Sequence, residues 1–453
     1  DSGEATVPAG ISLTLGVSGT TTPVTTTTTD ANGRYLFTGL TPGQYQVIVD
    51  AANFQSGGLL AGYVSTFTAE ANADSDGDNN DNATDGDATV SGVSSSGVTL
   101  SLGQEPTNDG NGANSNLTVD FGFVRQDWGD APDTFGTTAT ANGPRHTLVD
   151  GFFLGASVDS ELNGQPTAVA NGDDLNGTPD DEDGVVFTTS LAAGRPATIT
   201  VTVSGAGVLN AWIDFNSNGQ FDAGERIASD QPLSAGVNAL VINVPANATG
   251  VMVSRFRLTA LAGQAATPAG AAPNGEVEDY ILSSLGDFVW HDVNANGVQE
   301  SSEAGVNNVT VRLLDEQGQP VLDGAGNPIT TLTANHPTTG AAGWYEFPGL
   351  LPGDYQVEFV APTGSLFTVA DQTANGGAEA TDSDADRTTG RTASVTLVAG
   401  QVNPDVDAGL VLPVTVGDRV WYDNDGDGLQ DDNVEAEAGV QGVVVTLYDT
   451  TTQ

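Results

Sequence analysis

Apolar and polar residues alternate through "RYLFTGLTPGQYQVIV" (Arg34–Val49). Tyr35 and Phe37 share one face before a Pro-Gly pair, and Tyr45, Val47 and Val49 share one face after it. A period of two predicts strands with one buried face, and Pro-Gly predicts a turn, so the segment is expected to be a hairpin. The same pattern, G-x-Y-x-F-x-G-L-x-P-G-x-Y-x-V, returns in "GWYEFPGLLPGDYQVEFV" (Gly343–Val360). An acidic loop follows each copy: "ADSDGDNNDNATDGD" (Ala73–Asp87) and "EATDSDADRTTG" (Glu379–Gly390). Each repeat then closes on an apolar strand, "LTVDFGFV" or "PDVDAGLV".

A second motif marks where repeats begin. "GDFVWHDVNANGVQESSEAGV" (Gly286–Val306) parallels "GDRVWYDNDGDGLQDDNVEAEAGV" (Gly417–Val440), and "DSGEATV" at residue 1 aligns with the end of that motif. Four pieces result. Residues 1–125 are a repeat without its first strand, and 126–284 are a different domain running from "DWGDAPD" to "NGEVEDYIL". Residues 285–411 are a complete repeat, and 412–453 begin another. No long stretch with helical period stands out, so the fold class is all-β: tandem immunoglobulin-like or prealbumin-like β-sandwiches in a rod.

Composition sharpens this picture. The chain has 453 residues and a net charge of −48, from 59 acidic and 11 basic side chains. All the basic residues are arginine, and there is no cysteine. Such acidity excludes nucleic acid and anionic membrane surfaces as partners and favours cations. No apolar run reaches the roughly 18 residues a membrane-spanning helix needs, so membrane insertion is not expected. Without cysteine or lysine, neither a disulfide nor a lysine-based isopeptide staple is open to the chain.

The candidate chemistry lies in the acidic loops. Calcium takes six to eight oxygen ligands, and a tight loop supplies them at positions 1, 3, 5, 7, 9 and 12 with glycine at 6. "DVNANGVQESSE" fits with Asp292, Asn294, Asn296, the Val298 carbonyl, Glu300 and Glu303. "DFNSNGQFDAGE" fits with Asp214, Asn216, Asn218, the Gln220 carbonyl, Asp222 and Glu225. A turn rich in Asn, Asp and Gly has no need of glutamate at position 12. A third loop begins with Asp423, Asp425, Asp427, the Leu429 carbonyl and Asp431, but position 12 is Val434, so Glu435 or Glu437 must close it. At the N-terminus only Asp1 and Glu4 of such a loop are present. The expected cofactor is calcium at several sites, pinning each domain's first strands beside the preceding junction.

Other acids lack that spacing. Asp74, Asp76 and Asp78, and likewise Asp382, Asp384 and Asp386, alternate along extended segments and are weaker calcium candidates. Asp180 to Asp183 cluster, and Glu276 and Glu278 share a strand face with Asp279 opposite; all of these also read as solvated acidic surface. Enzymatic readings fare poorly. The three histidines, His146, His291 and His336, sit in no H-E-x-x-H motif, and no G-x-S-x-G elbow is present. Paired carboxylates keep a glycosidase open by residue type alone.

The repeats resemble the B-type domains of serine-aspartate repeat surface proteins, relatives of collagen-adhesin B domains. The middle domain resembles the GEVED family, through "DWGDAPD", "GDDLNGTPDDEDGV", "WIDFNSNGQFDAGE" and "GEVEDY". These resemblances imply β-sandwich modules of large bacterial cell-surface or secreted proteins, with calcium making a stalk rigid. The expectation is a non-enzymatic extracellular stalk or fibre segment whose partners are neighbouring domains or subunits. The alternative is a module whose middle domain binds a glycan or protein, with Trp128, Phe152 and Phe153 as candidate contacts.

Overall fold

The computed structural model describes residues 7–20, 22–66, 82–84, 88–107, 112–172, 181–371, 379–424, 426, 428–430 and 437–448. The described chain is built almost wholly of strands, paired chiefly antiparallel. Three cores lie in series, one for each of the first three pieces.

The middle domain is a sandwich of two sheets. One holds Val185–Phe187, Pro196–Val203 and Gly236–Asn243. The other holds Arg226–Leu233, Gly207–Ile213, Met252–Thr259 and Glu276–Leu285. "PATITVTV" shows why: Ala197, Ile199, Val201 and Val203 turn inward, while the threonines between them face out.

The two repeats share one topology. Ser12–Val17 lies between Pro23–Thr28 and Gly43–Val49. Thr310–Asp315 lies between Thr330–Leu332 and Gly353–Val360 in the same way. The expected Tyr/Pro-Gly hairpin does not form in either. Gly353–Val360 pairs with Thr310–Asp315 and Val395–Leu397, whereas Phe347–Leu350 pairs with the strand from the middle domain. A tyrosine explains the corner. Tyr355 Oη donates to the Leu351 carbonyl at 3.0 Å, and Tyr45 Oη donates to the Thr41 carbonyl at 2.7 Å. The Tyr355 hydroxyl pins the chain as it turns from one sheet to the other, as a tyrosine corner does, and Tyr45 makes the same contact at the start of Gly43–Val49.

Consecutive domains are joined without a linker. Phe123–Trp128 pairs at its start with Tyr63–Ser65 of the first repeat and at its end with Arg145–Thr147 of the middle domain. Glu276–Leu285 pairs with Met252–Thr259, then with Phe347–Leu350 and Val402–Asn403 of the next repeat. Side chains brace that second junction. Glu346 accepts from Thr249 Oγ1 at 2.5 Å and from the Gly250 amide at 2.8 Å. Arg195 pairs with the buried Asp323 at 3.1 Å. Described residues from 412 onward form no strand; the Trp421–Gly439 bridge holds them, and Val414 and Val444 stand almost fully exposed.

Candidate metal centres

Loop 292–303 leaves the strand Val289–His291 and returns through Gly305, which bridges to Trp290. Asp292 is buried, and its carboxylate faces back into the loop: Oδ2 accepts from the Gly297 amide at 2.8 Å and Oδ1 from the Asn296 amide at 3.3 Å. Asn294 and Asn296 each accept from the amide two residues on. Glu303 closes the ring, its Oε1 accepting from Val293 at 2.7 Å and its Oε2 from Glu300 at 3.2 Å. The turn needs positive φ at two places, +59° at Ala295 and +80° at Gly297, the second being where glycine costs least.

Loop 214–225 repeats this map in an unrelated domain. Asp214 accepts from Gly219 at 2.9 Å and Asn218 at 3.2 Å. Asn216 and Asn218 accept from the amide two residues on, and Glu225 accepts from Phe215 at 3.0 Å and Asp222 at 2.8 Å. The positive φ values recur at Ser217 and Gly219. Gln220 and Val298 hold the seventh position of the two loops, where a backbone carbonyl is the expected ligand.

The third loop carries the same two anchors. Asp423 accepts from Gly426 at 2.7 Å and Gly428 at 3.0 Å. Glu437 makes the contact expected of the closing glutamate: its Oε1 accepts from Asn424 at 3.2 Å, as Glu303 does from Val293. The Trp421–Gly439 bridge matches Trp290–Gly305, so the insertion is absorbed within the loop. Leu429 is exposed. Asp425, Asp427, Asp431 and Glu435 lie outside the described residues, as do Asp1, Glu4, Asp74, Asp76, Asp78 and Asp180.

The donor set suits calcium, being all oxygen and mixing carboxylates with amide and main-chain carbonyls. Glu300 is half-buried, yet its Oε2 is shut from solvent and accepts no hydrogen bond; Glu437 Oε2 is likewise sealed and unpaired. Burial is the leading cause that pushes the carboxyls of Asp214, Glu225 and Glu303 above their ordinary range, the mark of acids enclosed without a matching positive charge. Among the described residues no group of three or more His, Asp or Glu side chains is gathered tightly enough to hold a metal as it stands. In both full loops asparagine amides occupy the middle: Asn294 and Asn296 donate to Glu300, as Asn216 and Asn218 donate to Asp222.

The three aspartates of the second acidic loop part company. Asp382 is buried and bridges Val298, Thr381 accepts from Gln299, and Ser383 donates to the Gly297 carbonyl, so this loop packs directly on loop 292–303. Asp384 accepts from the Asp407 amide at 2.6 Å. Asp386 is exposed and caps the turn at Thr388 and Thr389. They do not present one row of carboxylates.

The loops sit downstream in their domains rather than beside the preceding junction. The Asp292 amide donates to Leu410, where the chain leaves the repeat. Ser217 in loop 214–225 donates to the Thr249 carbonyl, and Thr249 in turn grips Glu346 of the next repeat. Parallel pairing of Val289–His291 with Ala408–Val411 is the reason: both strands run away from Gly286.

Of the acids read as solvated surface, Asp181, Glu276, Glu278 and Asp279 are enclosed, whereas Asp183 is exposed. Glu276, Glu278 and Asp279 are all at most 1% exposed. Asp279 forms a bidentate pair with Arg255 and also accepts from the Asp130 and Ala131 amides, tying "GDAPD" to "GEVED". Glu276 and Glu278 face the other way, next to Asp181 and Asp183. Burial pushes Glu276 well up and Glu278 to about 8. Strict alternation in "EVEDY" carries the opposite facing of Asp279, but nothing local announces burial. Among the candidate contact aromatics, Trp128 is buried beneath Arg145, whose guanidinium lies 5.0 Å from its ring. Phe152 is half-buried against the middle core. Phe153 lines an open cleft with Arg125 and Asp150.

The model for the SdrD B-like domain matches residues 1–123 and 283–410, and that for the GEVED domain matches residues 208–283. Serine-aspartate repeat-containing protein F of Staphylococcus epidermidis is 40% identical over 171 residues, which are 37% of this chain and 9% of that protein. Serine-aspartate repeat-containing protein C of Staphylococcus aureus is 37% identical over 179 residues, 39% of this chain and 16% of that protein. The chain thus spans only a small part of the length of these relatives. Among solved structures, the group B streptococcus pilus 2b backbone protein aligns with a TM-score of 0.22 at 12% identity, covering 50% of this chain and 97% of its own. BcpA, the major pilin subunit of Bacillus cereus, aligns with a TM-score of 0.20 at 10% identity, covering 90% and 95%.

Proposed function

The chain belongs to the SdrD B-like domain family, and from that premise we propose that it is a calcium-braced structural segment of a bacterial cell-surface protein. Its work is mechanical: it holds other parts of a longer polypeptide, or neighbouring subunits of a fibre, at a fixed distance and angle. No catalytic step is assigned to it.

One observation carries the reading. Two loops in unrelated domains adopt the same hydrogen-bond map around oxygen donors at positions 1, 3, 5, 9 and 12, and each is tied to the downstream end of its domain. Asp292, Asn294, Asn296, the Val298 carbonyl, Glu300 and Glu303 would hold one ion, and the equivalent six from Asp214 to Glu225 another. Bound calcium supplies positive charge and multivalent crosslinking. It neutralises part of the −48 charge, whose self-repulsion opposes a compact state.

The division of labour differs from a metal-stapled flexible linker. Shared strands already remove the hinge at residues 123–128 and 276–285. Calcium would then fix loop 214–225 at the junction that Thr249 makes with Glu346, and loop 292–303 against Leu410 at the downstream end of its repeat. Thermal melting and small-angle scattering with and without EDTA test this. A rise in melting temperature and a narrower spread of lengths with calcium are expected; identical curves and profiles in both conditions would refute it. A glycan-array screen gives the competing outcome, a recognition module, if a defined sugar binds near Phe153.

A further inference from the structure

Gly236–Asn243 runs for eight residues along one edge of the middle domain, and among the described residues it pairs only with Pro196–Val203. Just past the Pro196–Asn243 pair, the Val244 amide donates to the Arg195 carbonyl. Backbone groups alternate sides along an antiparallel strand, so those of Val237, Ala239 and Val241 point away from Pro196–Val203. Such a row of outward amides and carbonyls is a template for one more strand. The side chains of the same residues leave the core: Val237 is 71% exposed and Val241 68%, whereas Ile242 is buried.

Other edges of the molecule are blunted. Arg226–Leu233, the edge of the facing sheet, carries Pro232, a φ of +46° at Asp230 and a pairing that slips at Ala211. Pro23–Thr28 opens on a proline, and its register shifts between Leu15 and Gly16. Val185–Phe187 and Thr330–Leu332 are only three residues long. Proline, bulges and short length are the means by which natural sheets keep their edges from pairing. From Val237 to Asn243 there is no proline, no positive φ and no charge, and the register with Pro196–Val203 is unbroken.

Charge and register select the occupant. With 59 acidic side chains against 11 basic, two copies of this chain repel each other over most of their surface. Gln231 to Ser254 holds no charged residue, and the adjoining strand turns Thr198, Thr200 and Thr202 outward. Two copies can meet there without setting carboxylate against carboxylate. The strand also complements itself. In an antiparallel pair centred on Ala239, Val237 stands opposite Val241 of the second copy, and the outward backbone groups of all three residues meet. The opposite edge, Val185–Phe187, is short and follows the acidic run Asp180 to Asp183, so it is a poor partner for a head-to-tail contact.

We propose that Gly236–Asn243 is an interaction surface for a second copy of this chain, pairing antiparallel with its own counterpart about a twofold axis at Ala239. The two three-stranded sheets then become one continuous sheet across the contact. A twofold contact uses the same patch on both chains and closes on itself, so it gives pairs and not open polymers. Chains are thereby joined side by side through their middle domains. The contact needs no metal, so it stands or falls independently of the calcium-braced reading.

Sedimentation velocity on the full chain in EDTA, taken up to about 1 mM, should show a monomer–dimer equilibrium. Val241→Lys changes an exposed side chain and should abolish the dimer, whereas the same change at Val414, 95% exposed near the other end of the chain, should leave it. Because the chain has no cysteine, a single Ala239→Cys reports the register. Facing residues of a hydrogen-bonded antiparallel pair lie about 5.5 Å apart between Cα atoms, within disulfide reach. Mild oxidation should therefore crosslink Ala239→Cys into a covalent dimer, but not Val186→Cys on the opposite, equally open edge. A chain that stays monomeric at about 1 mM, a dimer indifferent to Val241→Lys, or equal crosslinking of the two cysteine variants would each overturn the proposal.

Discussion

Arg255 and Asp279 face each other across antiparallel strands, Nε to Oδ1 and Nη2 to Oδ2 both at 2.7 Å, with neither side chain exposed. Asp279 also receives the Asp130 and Ala131 amides, so the pair anchors the domain's opening segment to its closing strand. Removing one partner of a buried pair leaves the other charge uncompensated, at a cost of about 3–5 kcal/mol. Asp279→Asn should therefore lower unfolding free energy by several kcal/mol in urea. A loss below about 1 kcal/mol, the worth of a surface pair, would show that the site is wetter than the structure indicates.

The pair also illustrates what could be read from sequence. The shared conformation of the two full loops was legible because the residues that set it are contiguous, and the spacing of Asp292–Glu303 returns in Asp214–Glu225 with the same hydrogen-bond map. The sandwich fold was legible from alternation, as at Ala197, Ile199, Val201 and Val203. The burial of Arg255, Arg257, Asp279, Glu276 and Glu278 was not, because each partner lies far away in sequence or offers only a backbone amide. The hairpin failed for a related reason. Pro-Gly states that the chain turns, but not that Tyr355 will pin it across two sheets.

Glu225 and Glu303 play the same part in their loops, so the same substitution should have the same sign in both. Glu303→Gln and Glu225→Gln should each weaken one calcium site in isothermal titration and leave the other unchanged. Ligand-linked stabilisation is about 2.7 kcal/mol when free calcium is a hundred times the dissociation constant. Each variant should thus lose calcium-dependent melting shift while differing little from the parent in EDTA. Equal loss in EDTA would mark a structural role for the glutamate's two backbone hydrogen bonds instead.

Glu346 links the middle domain to the following repeat through Thr249 and Gly250. Glu346→Ala leaves that amide and hydroxyl without their acceptor, at a cost of roughly 1–3 kcal/mol. The shared strand and the Arg195–Asp323 pair remain, so the domains should stay joined. Calorimetry is expected to show one transition broadening or splitting, with faster exchange at Gly250. A single unshifted transition would mean that the shared strand alone sets the junction.

His146 provides a pH signature of the folded middle domain. It is fully buried; its Nε2 accepts from Arg257 Nε at 3.0 Å, so its Nδ1 carries the proton that meets the Asn274 carbonyl at 2.8 Å. Burial first, and the neighbouring Arg257 second, hold its pKa well below 6.5. The folded state therefore keeps the ring neutral where the unfolded chain binds a proton. This contribution to stability is fully present above about pH 6.5 and is lost as the pH falls, by at most about 1.4 kcal/mol per pH unit. The raised carboxyls of Glu276 and Glu278 act in the opposite direction, since they bind protons more readily when folded. Comparing the parent with His146→Gln by urea unfolding at pH 7.5 and 5.5 cancels that background. The variant should be less stable at pH 7.5, with the gap narrowing at pH 5.5. A gap that is constant with pH would show that the imidazole titrates in the folded domain as it does unfolded, and a gap that widens at pH 5.5 would show that it is protonated there.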